Sequence, residues 1–263
     1  MEKQGSQRRI KRIITDLKEL EDCKDILAQS GIHFYYDNDD ISKIFAMLIG
    51  PDDTPYEKGF YFFEFVYPLD YPMVPPVAKY LTQGMLNNGK TQFSVRFNPN
   101  LYVNGKVCLS MLNTWNGPGW VPTNTMSNVL VAIQALVLNN EPLRNEPGYE
   151  HGDKDVIDKY SDLIAYANIK ISVFEMIAKP PVPYFQDKLY LYFLQYKTYY
   201  RDFIIKNHIN NKSKQISLAT CYTMITIINY EDLLTLLDYL EQEVDKNMSL
   251  KEEIKDIAVE DSK

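Results

Sequence analysis

The chain has 263 residues, 45% of them hydrophobic and 24% charged, with 11 Gly and 14 Pro, a composition that excludes a mainly disordered, collagen-like or low-complexity polymer. Lys and Arg number 28 against 35 Asp and Glu, a net charge of −7, so the basic footprint of a nucleic-acid binder is missing; no apolar run approaches the roughly 20 residues of a membrane-spanning helix. The first twenty residues hold no apolar secretory core, and three cysteines without a C-x-x-C pair give neither a disulfide framework nor a zinc knuckle. These bounds predict a soluble protein of a reducing, intracellular compartment, cytoplasmic or nuclear, with neither nucleic acid nor membrane as partner.

Ile10, Ile13, Ile14, Leu17 and Leu20 recur at helical spacing, which predicts a helix from about Arg8 to Cys23 with one buried face. Gly31 breaks the chain. Ile32–Tyr36 and Ser42–Ile49 are predicted strands around the turn residues Asp37-Asn38-Asp39-Asp40, and Phe60–Tyr67, FYFFEFVY, has the aromatic and β-branched character of a third. Short links between them favour an antiparallel meander. Pro68, Pro72, Pro75 and Pro76 make a stiff, extended connector to a fourth strand, Val77–Leu81.

From Thr82 to Thr125 the chain shows little periodicity and much Asn, Gly and Pro. A stretch of about 40 residues without regular structure marks a functional loop. Thr125 or Ser127 can then cap a buried helix through Val129, Leu130, Ile133, Leu136 and Val137. Asp153 can cap a longer one, with Val156, Tyr160, Leu163, Ala167, Ile171 and Phe174 on one stripe, stopped by Pro180-Pro181. Beyond Pro183 a tyrosine-rich segment reads as packing rather than a ligand platform. Asn229 can cap a helix carrying Leu233, Leu236, Leu237 and Leu240, and the charged tail from Glu241 is expected to fray.

The long loop holds Cys108 in RFNPNLYVNGKVCLSMLNTWNGPGW, with Asn104-Gly105 as a tight turn ahead of it. Read alone, Cys108 is a small apolar residue of a buried strand, as Cys23 and Cys221 are small apolar residues of helix-like segments. Three chemistries can be weighed for a reactive thiol. A cysteine protease needs a base, and His33, His151 and His208 lie in no motif that would supply one. A redox thiol usually has a second cysteine nearby, and none is close in sequence. A thioester carrier demands less: its leaving group is a thiolate of pKa near 8.5, and aminolysis needs an oriented lysine and one donor for the oxyanion, which an Asn amide can supply. The carrier fits best.

The succession GPDDTPYEKGFYFFEFVYPLDYPMVPP, FNPNLYVNGKVCLSML and WVP before a buried helix resembles the ubiquitin-conjugating enzyme family. That family's pattern runs G-P-x-x-[ST]-P-Y-x-x-G, Y-P-x-x-P-P, H-P-N with a Cys eight residues after the Asn, and W-x-P, and the likeness covers roughly residues 8–177. FNPN in place of HPN, NGKVCLS, NTWNGPGW and NEPGYE are similar to the Z-type members and related large hybrid enzymes. The resemblance implies an α/β (α+β) fold over 8–177: an N-terminal helix, a four-stranded antiparallel meander, an active-site flap and C-terminal helices on the sheet, with 178–263 as a helical extension.

It also implies roles. Cys108 would take ubiquitin from an activating enzyme as a thioester, for transfer to a lysine or through a ligase. That sulfur would then have to reach solvent. Asn100 would donate to the oxyanion or hold the flanking loop. Asn98 replaces the family His and, with Pro99, is structural. Glu146 falls near the family's lysine-orienting Asp. Lys11 and Arg12 match activating-enzyme docking positions, the alternative being a solvated helix face. Met73, Val121 and Pro122 match ligase contacts, with core packing as the alternative for Met73. No metal or organic cofactor is implied, and ATP would be used by the activating enzyme. Cys-Leu-Ser at 108–110 also resembles the SUMO-conjugating branch, so an enzyme for another ubiquitin-like modifier, or a non-catalytic binding module, are the rival expectations.

Overall fold

The computed structural model describes the backbone over residues 2–87, 89–210, 215–219 and 222–260, and side chains over the same stretches except 2–6, 215–219 and 252–260. Cys221 therefore lies outside the described residues. Helix α1 (Glu2–Asp22) buries Ile13, Leu17 and Leu20, while Ile10 and Ile14 stay exposed. A short helix α2 (Lys24–Gln29), not expected from the sequence, follows directly. Gly31 then turns the chain with φ of 74°, against Ile49, where a Cβ would come within 2.9 Å. Glycine meets both demands.

Strands β1 (Ile32–Asp37), β2 (Asp40–Ile49), β3 (Phe60–Val66) and β4 (Val77–Tyr80) form the expected antiparallel meander in that order. Residues paired across strands share a face. One face therefore carries Phe34, Ala46, Phe63 and Tyr80, and the other carries His33, Met47 and Phe62. The second face is covered too, because Tyr192 donates to or accepts from His33 Nε2 at 2.8 Å and Phe185 packs on Phe62. Two covered faces explain why β3 reads as a nearly continuous apolar run rather than an alternating one.

The stretch expected to lack regular structure contains a hairpin, β5 (Met85–Asn87) with β6 (Gln92–Ser94). Helix α3 (Met126–Ala132) starts after Thr125, whose N–H donates to Asn128 Oδ1 at 3.0 Å, and passes into a π-helical turn over Ile133–Val137. Helix α4 (Lys154–Ala167) starts as expected at Asp153, whose carboxylate accepts from the Asp155 N–H. It continues through a π-helical stretch, Asn168–Glu175, into α5 (Met176–Ala178). Buried Asn168 fastens this stretch to the sheet: its carbonyl oxygen accepts from Tyr61 at 2.6 Å and its amide donates to Glu57 O.

Helix α6 (Gln186–Asn210) buries Leu189, Phe193, Tyr200 and Ile204, so this tyrosine-rich segment packs. Two expectations for 178–263 need correction. The region is not wholly helical, since β7 (Gln215–Ala219) pairs with β8 (Thr223–Ile227) between its two long helices. Nor does the helix end near Glu241: α7 (Tyr230–Glu260) runs on, its start capped by Asn229. Its buried side, Leu233, Leu237, Leu240 and Val244, carries the packing along much of that length.

Candidate active site

Cys108 and Asn100 are held side by side. The Cys108 N–H donates to Asn100 O at 2.8 Å, and the Asn100 amide nitrogen donates to Cys108 O at 2.7 Å. Between them the chain reverses at Asn104-Gly105, where Gly105 takes φ of 91° and its N–H donates to Tyr102 O. Thr114, from the loop beyond, clamps the same segment: its hydroxyl accepts from the Leu109 N–H at 2.9 Å and donates to Val107 O at 2.7 Å. The Asn100 amide is thus engaged with the backbone of the thiol-bearing residue. Its carbonyl oxygen is buried without a hydrogen-bond partner among the described residues.

Asn98 is fully buried, and its polar capacity is used in four directions. Its amide nitrogen donates to the Tyr56 hydroxyl at 2.9 Å and to Val137 O at 2.7 Å. Its carbonyl oxygen accepts from the Asn100 N–H at 2.8 Å and from Asn145 Nδ2 at 3.4 Å. A planar amide with two donors and one acceptor oxygen can bind β3's approach loop, the end of the α3 turn and the Asn100 backbone at once. Pro99, also buried, presents its carbonyl to Arg96 at 2.6 Å.

The thiol itself departs from expectation. Cys108 is only 2% exposed, whereas a thioester carrier needs its sulfur in solvent. The flanking hydrogen bonds of Asn100 and Thr114 hold its segment against the core. A groove of about 400 Å³ lined by Pro75, Pro76, Ala78, Lys106, Val107 and Thr114, among others, adjoins this segment, but Cys108 is not part of its lining.

Half-buried Glu146 follows Asn145, which is bonded to Asn98. It accepts a hydrogen bond from the Tyr222 hydroxyl, contributed by the β7–β8 hairpin. Two residues that sequence reasoning missed complete this flank. Arg96 donates to Asn98 O and Pro99 O, and its guanidinium lies 3.5 Å from the Tyr102 ring centroid and 5.0 Å from that of Tyr222. Arg96 stands two residues ahead of Asn98, a position that offered a signal. Tyr222 offered none, being over 70 residues away in sequence from Glu146.

The docking candidates separate. Lys11 is exposed, but Arg12 is not a solvated side chain: it donates to Asp16 at 2.8 Å, to Asn124 O at 2.7 Å and to Pro122 O. Nearly buried Asp16 in turn accepts from Tyr71, whose phenol is pushed up by burial and by that carboxylate, so it stays a donor. The Trp120 indole donates to Pro72 O at 2.8 Å and packs beside the Tyr71 ring. This brace ties α1 to two loops, whose tips present Met73 at 72% and Val121 at 49% exposure, with Pro122 exposed beside them. Met73 is not core packing. Among the described residues no group of three or more His, Cys, Asp and Glu could hold a metal ion, and no helix is long and apolar enough to cross a membrane.

A family model described as ubiquitin-conjugating enzyme matches residues 12–168. Ubiquitin-conjugating enzyme E2 Z of Xenopus tropicalis is 47% identical over 148 residues, 56% of this chain and 45% of the relative. That of Homo sapiens is 46% identical over 158 residues, 58% and 42% of the two chains. The probable ubiquitin-conjugating enzyme E2 25 of Arabidopsis thaliana is 38% identical over 201 residues, 73% and 30%. The matched region spans less than half the length of these relatives.

Proposed function

The chain belongs to the ubiquitin-conjugating enzyme family, and on that premise we propose that it accepts ubiquitin on Cys108 and passes it to lysine, alone or with a ligase. In charging, the Cys108 thiolate displaces the activating enzyme's thiol from ubiquitin's C-terminal carbonyl. In discharge, a lysine amine attacks that carbonyl, the C–N bond forms, the C–S bond breaks, the amine gives up a proton and the thiol is regenerated. The observation that carries the proposal is the pair of hydrogen bonds between Asn100 and Cys108, one from the Cys108 N–H and one from the Asn100 side-chain amide, set on the fully bonded Asn98. Asn100 holds the loop in the resting state, and its amide lies beside the residue whose acyl adduct would develop an oxyanion. Glu146 would orient the incoming lysine.

The 2% exposure of Cys108 adds a step to this proposal: the chain packed around it has to shift to uncover the sulfur before charging. The energy of the thioester comes from ATP used by the activating enzyme, so the chemistry asks no cofactor of this chain. We assign residues 8–177 to the conjugating core and 178–263 to an extension. Lys11 is our candidate for activating-enzyme docking, and the Met73, Val121 and Pro122 patch for ligase docking. Arg12 serves that patch from beneath. A free thiol carrier works in a reducing compartment, so we place the protein in the cytoplasm or nucleus.

Incubation with activating enzyme, ubiquitin and ATP tests the proposal. A thiol-sensitive adduct heavier by one ubiquitin should form, and Cys108→Ala should abolish it. An adduct on Cys108→Ala refutes the site. No adduct on the wild-type chain refutes transfer of ubiquitin; the same assay with other ubiquitin-like modifiers then separates a different modifier enzyme from a binding module.

A further inference from the structure

The β7–β8 hairpin is not remote from the candidate site. Thr226 donates to Asn87 O at 3.0 Å, and Met224 presents its sulfur to the Arg96 N–H at 3.4 Å, so β8 lies along the flank formed by β5 and Arg96. Tyr160 of α4 supports the same place, donating to Arg96 O at 2.6 Å with its ring 6.2 Å from that of Tyr222. Tyr222 then touches both arms of the site frame. Its ring faces the Arg96 guanidinium that holds Asn98 O and Pro99 O, and its hydroxyl donates to Glu146 Oε2. A cation over an aromatic face and a phenol donating to a carboxylate are both directional contacts.

We propose that Tyr222 is a positioning residue for the discharge step, holding one oxygen of Glu146 so that the other faces the incoming lysine while the same ring steadies Arg96 and the Asn98–Asn100 turn. The inference rests on the transfer proposed above, and it gives the 178–263 extension a part in that reaction. Tyr222 itself touches neither ubiquitin nor lysine. Its removal leaves Glu146 free to rotate, so the effect appears where lysine is engaged and not where ubiquitin is loaded.

The test uses the full chain, charged with ubiquitin, then quenched and chased with free lysine over a range of concentrations. Tyr222→Phe keeps the ring over Arg96 and deletes only the hydroxyl. It is expected to slow discharge about tenfold relative to charging, the lower end for a hydrogen bond to a charged group. Tyr222→Phe combined with Glu146→Gln should discharge no more slowly than Glu146→Gln alone, because the two act as one unit. Tyr239→Phe, on the exposed side of α7, controls for general disturbance of the extension and should match wild type. A normally charged Tyr222→Phe that drains at the wild-type rate or faster overturns the inference, as does a double variant whose losses multiply. Absence of any adduct on the wild-type chain instead fails the transfer reaction itself, and is seen before the chase begins.

Discussion

Replacing Asn98 by alanine probes the frame beneath the candidate thiol. The side chain is fully buried and joins Tyr56, Val137, Asn100 and Asn145. Two of these partners have a second bond: Tyr56 still donates to Phe97 O at 2.7 Å, and Asn145 still donates to Leu136 O at 3.0 Å. The Val137 carbonyl and the Asn100 N–H would lose the bonds described here. An orphaned buried polar group costs about 1–3 kcal/mol, so Asn98→Ala should lose about 2–6 kcal/mol, a large part of the roughly 5–15 kcal/mol available to a domain. Urea unfolding followed by tryptophan emission measures it, read from the midpoint at unchanged slope. Asn98→Asp, which forfeits both donors and points a charge at the Val137 carbonyl, should cost at least as much. A loss for Asn98→Ala below about 1 kcal/mol would refute the view that this amide carries the frame.

Three further outcomes follow from the geometry. Burial lowers His33 from 6.5 to about 4; the unfolded chain therefore takes up a proton that the folded chain refuses, and stability should fall by about 3 kcal/mol as the pH drops from 6.5 to 4. His33→Gln should flatten that stretch of the stability profile, and an unchanged slope would show that other groups set it. Asn100→Ala should charge nearly as wild type and discharge to lysine more slowly, by up to the ~2.7–4 kcal/mol typical of a lost oxyanion donor; equal discharge rates would remove Asn100 from the mechanism. Arg12→Ala removes the cation beside buried Asp16, which keeps its bond from Tyr71, and should cost about 1–3 kcal/mol in denaturation, whereas loss of binding to an activating enzyme at full stability would assign Arg12 to docking instead.

The meander was legible because FYFFEFVY and its neighbours carry strand chemistry between turn residues, and the starts of α3, α4 and α7 because Thr125, Asp153 and Asn229 are capping types. The β5–β6 hairpin was not, since three-residue strands are too short to show alternation. Gln215–Ala219 and Thr223–Ile227 were missed because their β-branched residues stand between two strongly helical segments, whose pattern dominated. At the candidate site, the family resemblance pointed to Asn98, Asn100, Cys108 and Glu146, and the structure joins the first three in one hydrogen-bonded frame. The burial of Cys108, the brace around Arg12 and the contacts of Arg96 and Tyr222 depend on long-range packing that spacing does not record.

The brace under Met73 and Val121 gives the molecule a built-in optical reporter. Both of its tryptophans, Trp115 and Trp120, lie in sequence between Cys108 and α3. Trp120 is nearly dark to solvent with its indole bonded to Pro72, whereas Trp115 is 43% exposed. All indole fluorescence therefore originates in the loop that joins Cys108 to α3. Aqueous iodide should quench Trp115 first, and a red shift in the protected component would time the unlatching of Trp120 from Pro72 without any label.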